Sequence, residues 1–190
     1  MGRSKSRMNN NTLMKQIDEA IKEVWLNDIS SDYDDLYLLK EDSLKCSLYY
    51  HLRFKLGEVL ADNNLRIYPE YYIPELKYKA DLAIVRIDPY EVKPKLKDMV
   101  TEVISVIETK YDFSAADSTI ATIESDVEKI KDYLDFGMGG RCYFACIYEN
   151  EVDDLRWFDE TQISTWAKGR VTELDAWLID DFMTFEINEY

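Results

Sequence analysis

The octapeptide Arg141–Tyr148, RCYFACIY, is apolar at odd and even positions alike. A strand of that kind has no face to give to water, so it belongs inside a sheet covered on both sides. The chain that holds it must supply helices for two sheet faces. The chain has 190 residues, 46% of them hydrophobic, which is enough for a real core.

The periodicities supply the rest of such a layered fold. From Thr12 to Trp25, residues Leu13, Met14, Ile17, Ala20, Ile21, Val24 and Trp25 recur at helical steps. Asn27 to Asp35 reads as a polar break. A second helix is expected over about Glu41–Ala61, striped by Leu44, Leu48, Leu52, Leu56, Val59 and Leu60. Three strand signals follow: Leu65–Ile73, Lys79–Ile87 (KADLAIVRI) and Met99–Thr109 (MVTEVISVIET). Asp117 or Ser118 opens a third helix along Ile120, Ile123, Val127, Ile130 and Leu134, which Gly137-Met138-Gly139-Gly140 stops. After Arg141–Tyr148, a helix near Gln162–Ile179 and a last strand, Met183–Ile187, are expected. The fold class is α/β: a central mixed β-sheet flanked by helices, with an N-terminal helix and an acidic α/β C-terminal extension. The organisation expected is one domain, with a flexible tail over 1–11, a core over 41–148 and the extension over 149–190.

Several classes of function fall away at once. His51 is the single histidine, which removes zinc-finger patterns and Ser-His or Cys-His catalysis. The three cysteines, Cys46, Cys142 and Cys146, show no paired spacing. No phosphate-binding glycine motif occurs. No apolar run approaches the roughly 18 to 20 residues of a membrane span. A cytoplasmic protein with no membrane partner is the expectation. Net charge is −15, which at first opposes nucleic-acid binding. Its distribution matters more: residues 66–110 sum to zero, while 149–190 carry twelve acidic and three basic residues. That acidic segment is a candidate surface for a protein partner.

Three charged residues sit where apolar ones would be ordinary. Asp81 lies inside KADLAIVRI, Glu108 closes the next β-rich run, and Lys110 follows two positions on. Residues two apart on a strand share a face, so Glu108 and Lys110 project together. If the two strands pair as a hairpin, Asp81 and Glu108 converge across them. Two carboxylates from neighbouring strands make a seat for Mg²⁺, which accepts one or two and keeps several waters. A lysine beside them steadies a water or charge on a phosphate. A bare Glu-x-Lys is short and frequent, and alone it describes a solvated strand end. Its weight comes from the order of elements around it.

That order is helix, β, β-Asp, β-Glu-x-Lys, helix, β, with Asp81 27 residues before Glu108. It resembles the core of the PD-(D/E)XK nuclease superfamily over about Glu41–Tyr148. The position before Asp81 is Ala80 rather than the proline of the motif's name. The resemblance implies a restriction-endonuclease-like core and Mg²⁺- or Mn²⁺-dependent cleavage of nucleic acid, DNA ahead of RNA. It implies Asp81 and Glu108 as metal ligands and Lys110 as the catalytic lysine, in a protein that could act as a homodimer. Glu41, Glu58 and Glu70 are candidates for a further carboxylate. Lys77, Lys79, Arg53, Lys55 and Lys129 are candidate phosphate contacts. The competing reading is a catalytically silent relative that keeps the fold and binds a partner through its acidic C-terminal part.

Overall fold

In a computed structural model, residues 9–91, 93–112, 117–152 and 155–190 are described. Residues 1–8 of the expected tail and the Ile120 side chain of the third helical stripe lie outside them. Helix α1 (Asn10–Glu23) begins within the expected tail, because Asn9 caps it by accepting a hydrogen bond from the Asn11 amide at 3.1 Å. The expected break at Asn27–Asp35 is absent. Instead α1 passes through a π-helical turn (Val24–Ile29) into α2 (Ser30–Asp34). The π turn brings Val24, Trp25 and Ile29, all fully buried, to one face. Trp25 Nε1 then reaches the Asp175 carbonyl at 3.3 Å, a tertiary bond that overrides the polar local sequence.

The second helix divides at Leu56 into α3 (Glu41–Lys55) and α4 (Gly57–Asp62). Then come β1 (Leu65–Ile73), β2 (Tyr78–Ile87) and β3 (Val100–Asp112), which outruns its expected end by three residues. Helix α5 (Asp117–Asp135) leads to β4 (Cys142–Glu151).

The expected helix near Gln162–Ile179 is corrected. Only the short α6 (Glu160–Ser164) forms, and Val171–Ile179 is a strand, β5. Its acidic residues hide the strand pattern in the sequence, yet Glu173 and Asp175 are fully buried. Asp180 and Asp181 both take positive φ, 49° and 66°, and turn the chain tightly into β6 (Phe182–Glu189). The acidic C-terminal part is thus built into the sheet.

The result is an α/β fold with one open six-stranded mixed sheet in sequential order. β1, β2 and β3 are antiparallel, β3, β4 and β5 are parallel, and β6 returns antiparallel. α1 to α4 cover one face, packing on residues such as Leu82, Ile107 and Tyr143. α5 and the 155–167 segment cover the other, over Val106, Phe144 and Cys146. The doubly apolar β4 lies between them, as its sequence requires. Among the described residues no helix is long and apolar enough to cross a membrane.

Candidate active site

Strands β2 and β3 pair as far as Leu82↔Ile107 and then part. β2 stays with β1 down to Tyr78↔Ile73, and β3 stays with β4 up to Asp112↔Tyr148. The sheet is therefore forked in its middle. Continuing the register by one pair sets Asp81 beside Glu108 at the mouth of the fork.

The face alternation of β2 slips there. Leu82 and Ile84 join the core under α3, while Ala83, Val85 and also Ala80 join the core under α5. The extra residue is Asp81, whose side chain turns sideways into the fork. Its Oδ2 accepts the Thr109 amide at 2.8 Å and the Thr109 hydroxyl at 3.1 Å, where a paired strand would offer a carbonyl. Its Oδ1 lies 2.6 Å from Lys45 Nζ.

Glu108 is only 1% exposed. Its Oε1 accepts from the Tyr133 hydroxyl at 2.7 Å, and its Oε2 is 3.7 Å from Lys129 Nζ. Burial, and then the charge of Asp81, push its pKa up to about 8, against the opposing pull of Lys129 and Tyr133. At neutral pH this carboxyl holds a proton unless another cation arrives.

Lys110 is clasped by Asp126 Oδ2 at 2.8 Å and Glu41 Oε2 at 3.1 Å. Burial works against its charge, but the two carboxylates outweigh that and raise its pKa. Asp126 also binds Lys129 Nζ, at 2.5 Å. Lys45 bridges Asp81 and Glu70, whose second oxygen is 3.5 Å from Lys79. Carboxylates and lysines thus alternate around the fork.

The predicted residues divide into two groups. Asp81, Glu108, Lys110, Glu41 and Glu70 meet at the fork, with Lys129 behind them. Lys79 borders it, and Lys77, at φ 63°, sits in the turn that enters β2. Glu58 is exposed on α4. Arg53 is engaged with Tyr49, and Lys55 with Glu23 at 2.6 Å. Both lie near the far end of α3, with Arg53 roughly 18 Å along the helix axis from Glu41 at 1.5 Å per residue. Lys45, Asp126 and Tyr133 were not foreseen. Their spacing was the available signal: Asp126, Lys129 and Tyr133 recur at helical steps beside the apolar stripe of α5, and Lys45 adjoins the Leu44–Leu48 stripe of α3.

Among the described residues, no three His, Cys, Asp or Glu side chains are grouped as a ready-made cage for a metal ion. The arrangement offers instead two adjoining carboxyl groups held by lysines, hydroxyls and the Thr109 amide, with the Asp126 carboxylate close enough to act on Glu108. Comparison of the chain with protein-family models, with curated proteins and with solved structures returns no match.

Proposed function

We propose that the chain is a divalent-metal-dependent nuclease of the PD-(D/E)XK kind. The observation that carries this reading is the fork, which gathers Asp81, Glu108 and Lys110 where two central strands part. Asp81 and Glu108 would hold Mg²⁺ or Mn²⁺. Their hard oxygens suit either ion, and a two-carboxylate seat leaves room for waters. A raised Glu108 pKa fits as well, since a bound cation favours the ionised carboxylate. The ion would supply Lewis acidity toward a phosphoryl oxygen and a more acidic bound water.

The chain's own groups do the rest. Lys110, aimed by Asp126 and Glu41, steadies negative charge on the scissile phosphate. Thr109 and Lys45 orient Asp81, and Tyr133 and Lys129 orient Glu108. Glu41 takes the further helix carboxylate's place, through its hold on Lys110.

The test is incubation with single- and double-stranded DNA and RNA in Mg²⁺ or Mn²⁺, beside Asp81→Ala and Lys110→Ala. Wild type should cleave at least one substrate, and both variants should lose that cleavage. Cleavage that persists in EDTA, or is equal in all three proteins, overturns the reading.

A further inference from the structure

β1 forms one edge of the sheet, and its two halves face opposite ways. The odd-numbered Leu65 and Ile67 pack under the α3 side, whereas the odd-numbered Tyr71 and Ile73 pack on the α5 side, which the even-numbered Tyr68 already faces by ordinary alternation. The change of face is made at Glu70, whose φ of 51° lies in the left-handed region. Glu70 stands opposite Asp81 in the continued register, so both strands slip together and stay paired on either side.

The slip has a consequence for the aromatic rings. Tyr68 and Tyr71 would alternate faces on a regular strand. Here they stack, with centroids 6.2 Å apart and planes within 18°. With Pro69, Tyr72, Leu96 and Val100 they line a groove of about 390 Å³. That volume is in the range, roughly 300–1,000 Å³, that accepts a nucleoside-sized ligand. Tyr72 is 50% exposed and Leu96 79%. Lys97 and Asp98 both line the groove, so these two neighbouring charges balance. Glu70 belongs to the groove wall, and its carboxylate binds the Lys45 that also binds Asp81. Groove and fork therefore adjoin through one shared side chain.

Stacked, partly open tyrosines offer π faces to flat ligands, and every nucleobase has such a face. In a duplex those faces are already covered by neighbouring bases. An unpaired base can be splayed onto an aromatic platform. At net −15 the protein as a whole repels phosphates, so any affinity for a nucleic acid must come from local contacts such as base stacking.

We propose that the Tyr68–Tyr71 groove stacks unpaired bases of a single-stranded nucleic acid whose backbone passes the fork. The substrate is then single-stranded, or carries a single-stranded extension next to the cleaved bond. The position of the cleaved bond rests on the nuclease reading of the fork; the stacking does not.

The experiment is fluorescence anisotropy with short labelled oligonucleotides. The probes are single-stranded DNA and RNA, a blunt duplex of the same sequence, and a single strand with abasic sites. Single strands of DNA, RNA or both should bind about tenfold more tightly than the duplex, and abasic sites should remove about that factor. The double variant Tyr68→Leu, Tyr71→Leu should lose about tenfold, while Tyr68→Phe, Tyr71→Phe keeps wild-type binding. Equal binding of single strand and duplex overturns the proposal, and so does equal binding of natural and abasic strands. The abasic comparison uses wild-type protein, so it decides even if the leucine variant misfolds. Asp81→Asn separates the two readings. Asp81-dependent cleavage without base-dependent binding sinks the groove alone. Base-dependent binding with no metal-dependent cleavage sinks the nuclease alone.

Discussion

The α5-facing side of the sheet holds two sets of buried carboxyls. Phe144 separates Glu108 from Glu173 in register, and Cys146 separates Lys110 from Asp175. At the fork, each acid meets a lysine. On β5, Glu173 accepts the backbone amides of Trp157 and Phe158 at 2.8 and 3.0 Å and the Tyr190 hydroxyl at 2.5 Å. Asp175 accepts from Asn188 at 3.1 Å. Burial raises the pKa of both β5 acids, with Arg156 easing their charge. Phe158 meets Phe144 and Trp166 edge to face and Tyr190 at a tilt, and helps seal that end. The fork is partly open, with Glu70 half exposed. Buried acid alone therefore does not define a site. Glu173 clamps the 157–158 loop to β5 through neutral donors, and Asp175 is tied by Asn188 to β6. Acid fixed by lysines, where strands part and Glu70 is half exposed, is the arrangement on which the proposed metal exchange rests.

Matched substitutions in the two sets should separate a site from a clamp. The largest expected contrast is in catalysis. Glu108→Gln should lower cleavage by about 10²–10³-fold, and Asp175→Asn should leave the rate per folded molecule within about twofold, measured on a labelled substrate in Mg²⁺. Equal losses would erase the distinction. Next comes stability. Glu173→Ala strands two backbone amides and should cost about 2–4 kcal/mol in urea unfolding, with activity retained by the folded fraction.

The pH dependence of stability is a smaller effect with a defined sign. Native Glu108 keeps its proton up to about pH 8, whereas the unfolded chain loses it near its ordinary 4.5. Its contribution is fully present below about 4.5 and is lost as pH rises through 8, at most about 1.4 kcal/mol per pH unit. The β5 acids slope the same way. Melting temperature followed from pH 5 to 8 should fall less steeply in Glu108→Gln than in wild type. Mn²⁺ should flatten the Glu108 share and leave the β5 share, which Asp175→Asn reduces instead. The smallest expected signal is calorimetric. Mg²⁺ binding should vanish in Glu108→Gln and persist in Asp175→Asn, and loss in both would merge the two sets.

Much of this contrast was legible in the chain before folding. Asp81, Glu108 and Lys110 stood out because each interrupts or ends an apolar strand pattern. Glu173 and Asp175 did the opposite: they disguised β5 as part of an acidic helix, since local patterning does not show that a charge will be buried. The π turn after α1 escaped for a related reason. Asn27 and Asp28 are ordinary breakers, and only Trp25 reaching β5 makes continuation worthwhile. Glu41 and Glu58 are both candidates on one long expected helix, with Glu41 slightly preferred. The split at Leu56 put Glu58 on α4, while the N-terminus of α3 faces Lys110.

The sequence by itself determined the layered α/β fold, because a strand apolar on both parities needs cover on two faces. It determined that Asp81, Glu108 and Lys110 lie in β2 and β3, because they interrupt or end apolar strand patterns, and patterning of that kind is a local property. Tertiary structure alone decided the fork, the paired slip at Glu70 and Asp81, and the place of Lys45 between those two carboxylates. Those depend on where two strands stop pairing and on which helix faces the gap, and both are settled by packing between segments far apart in the chain.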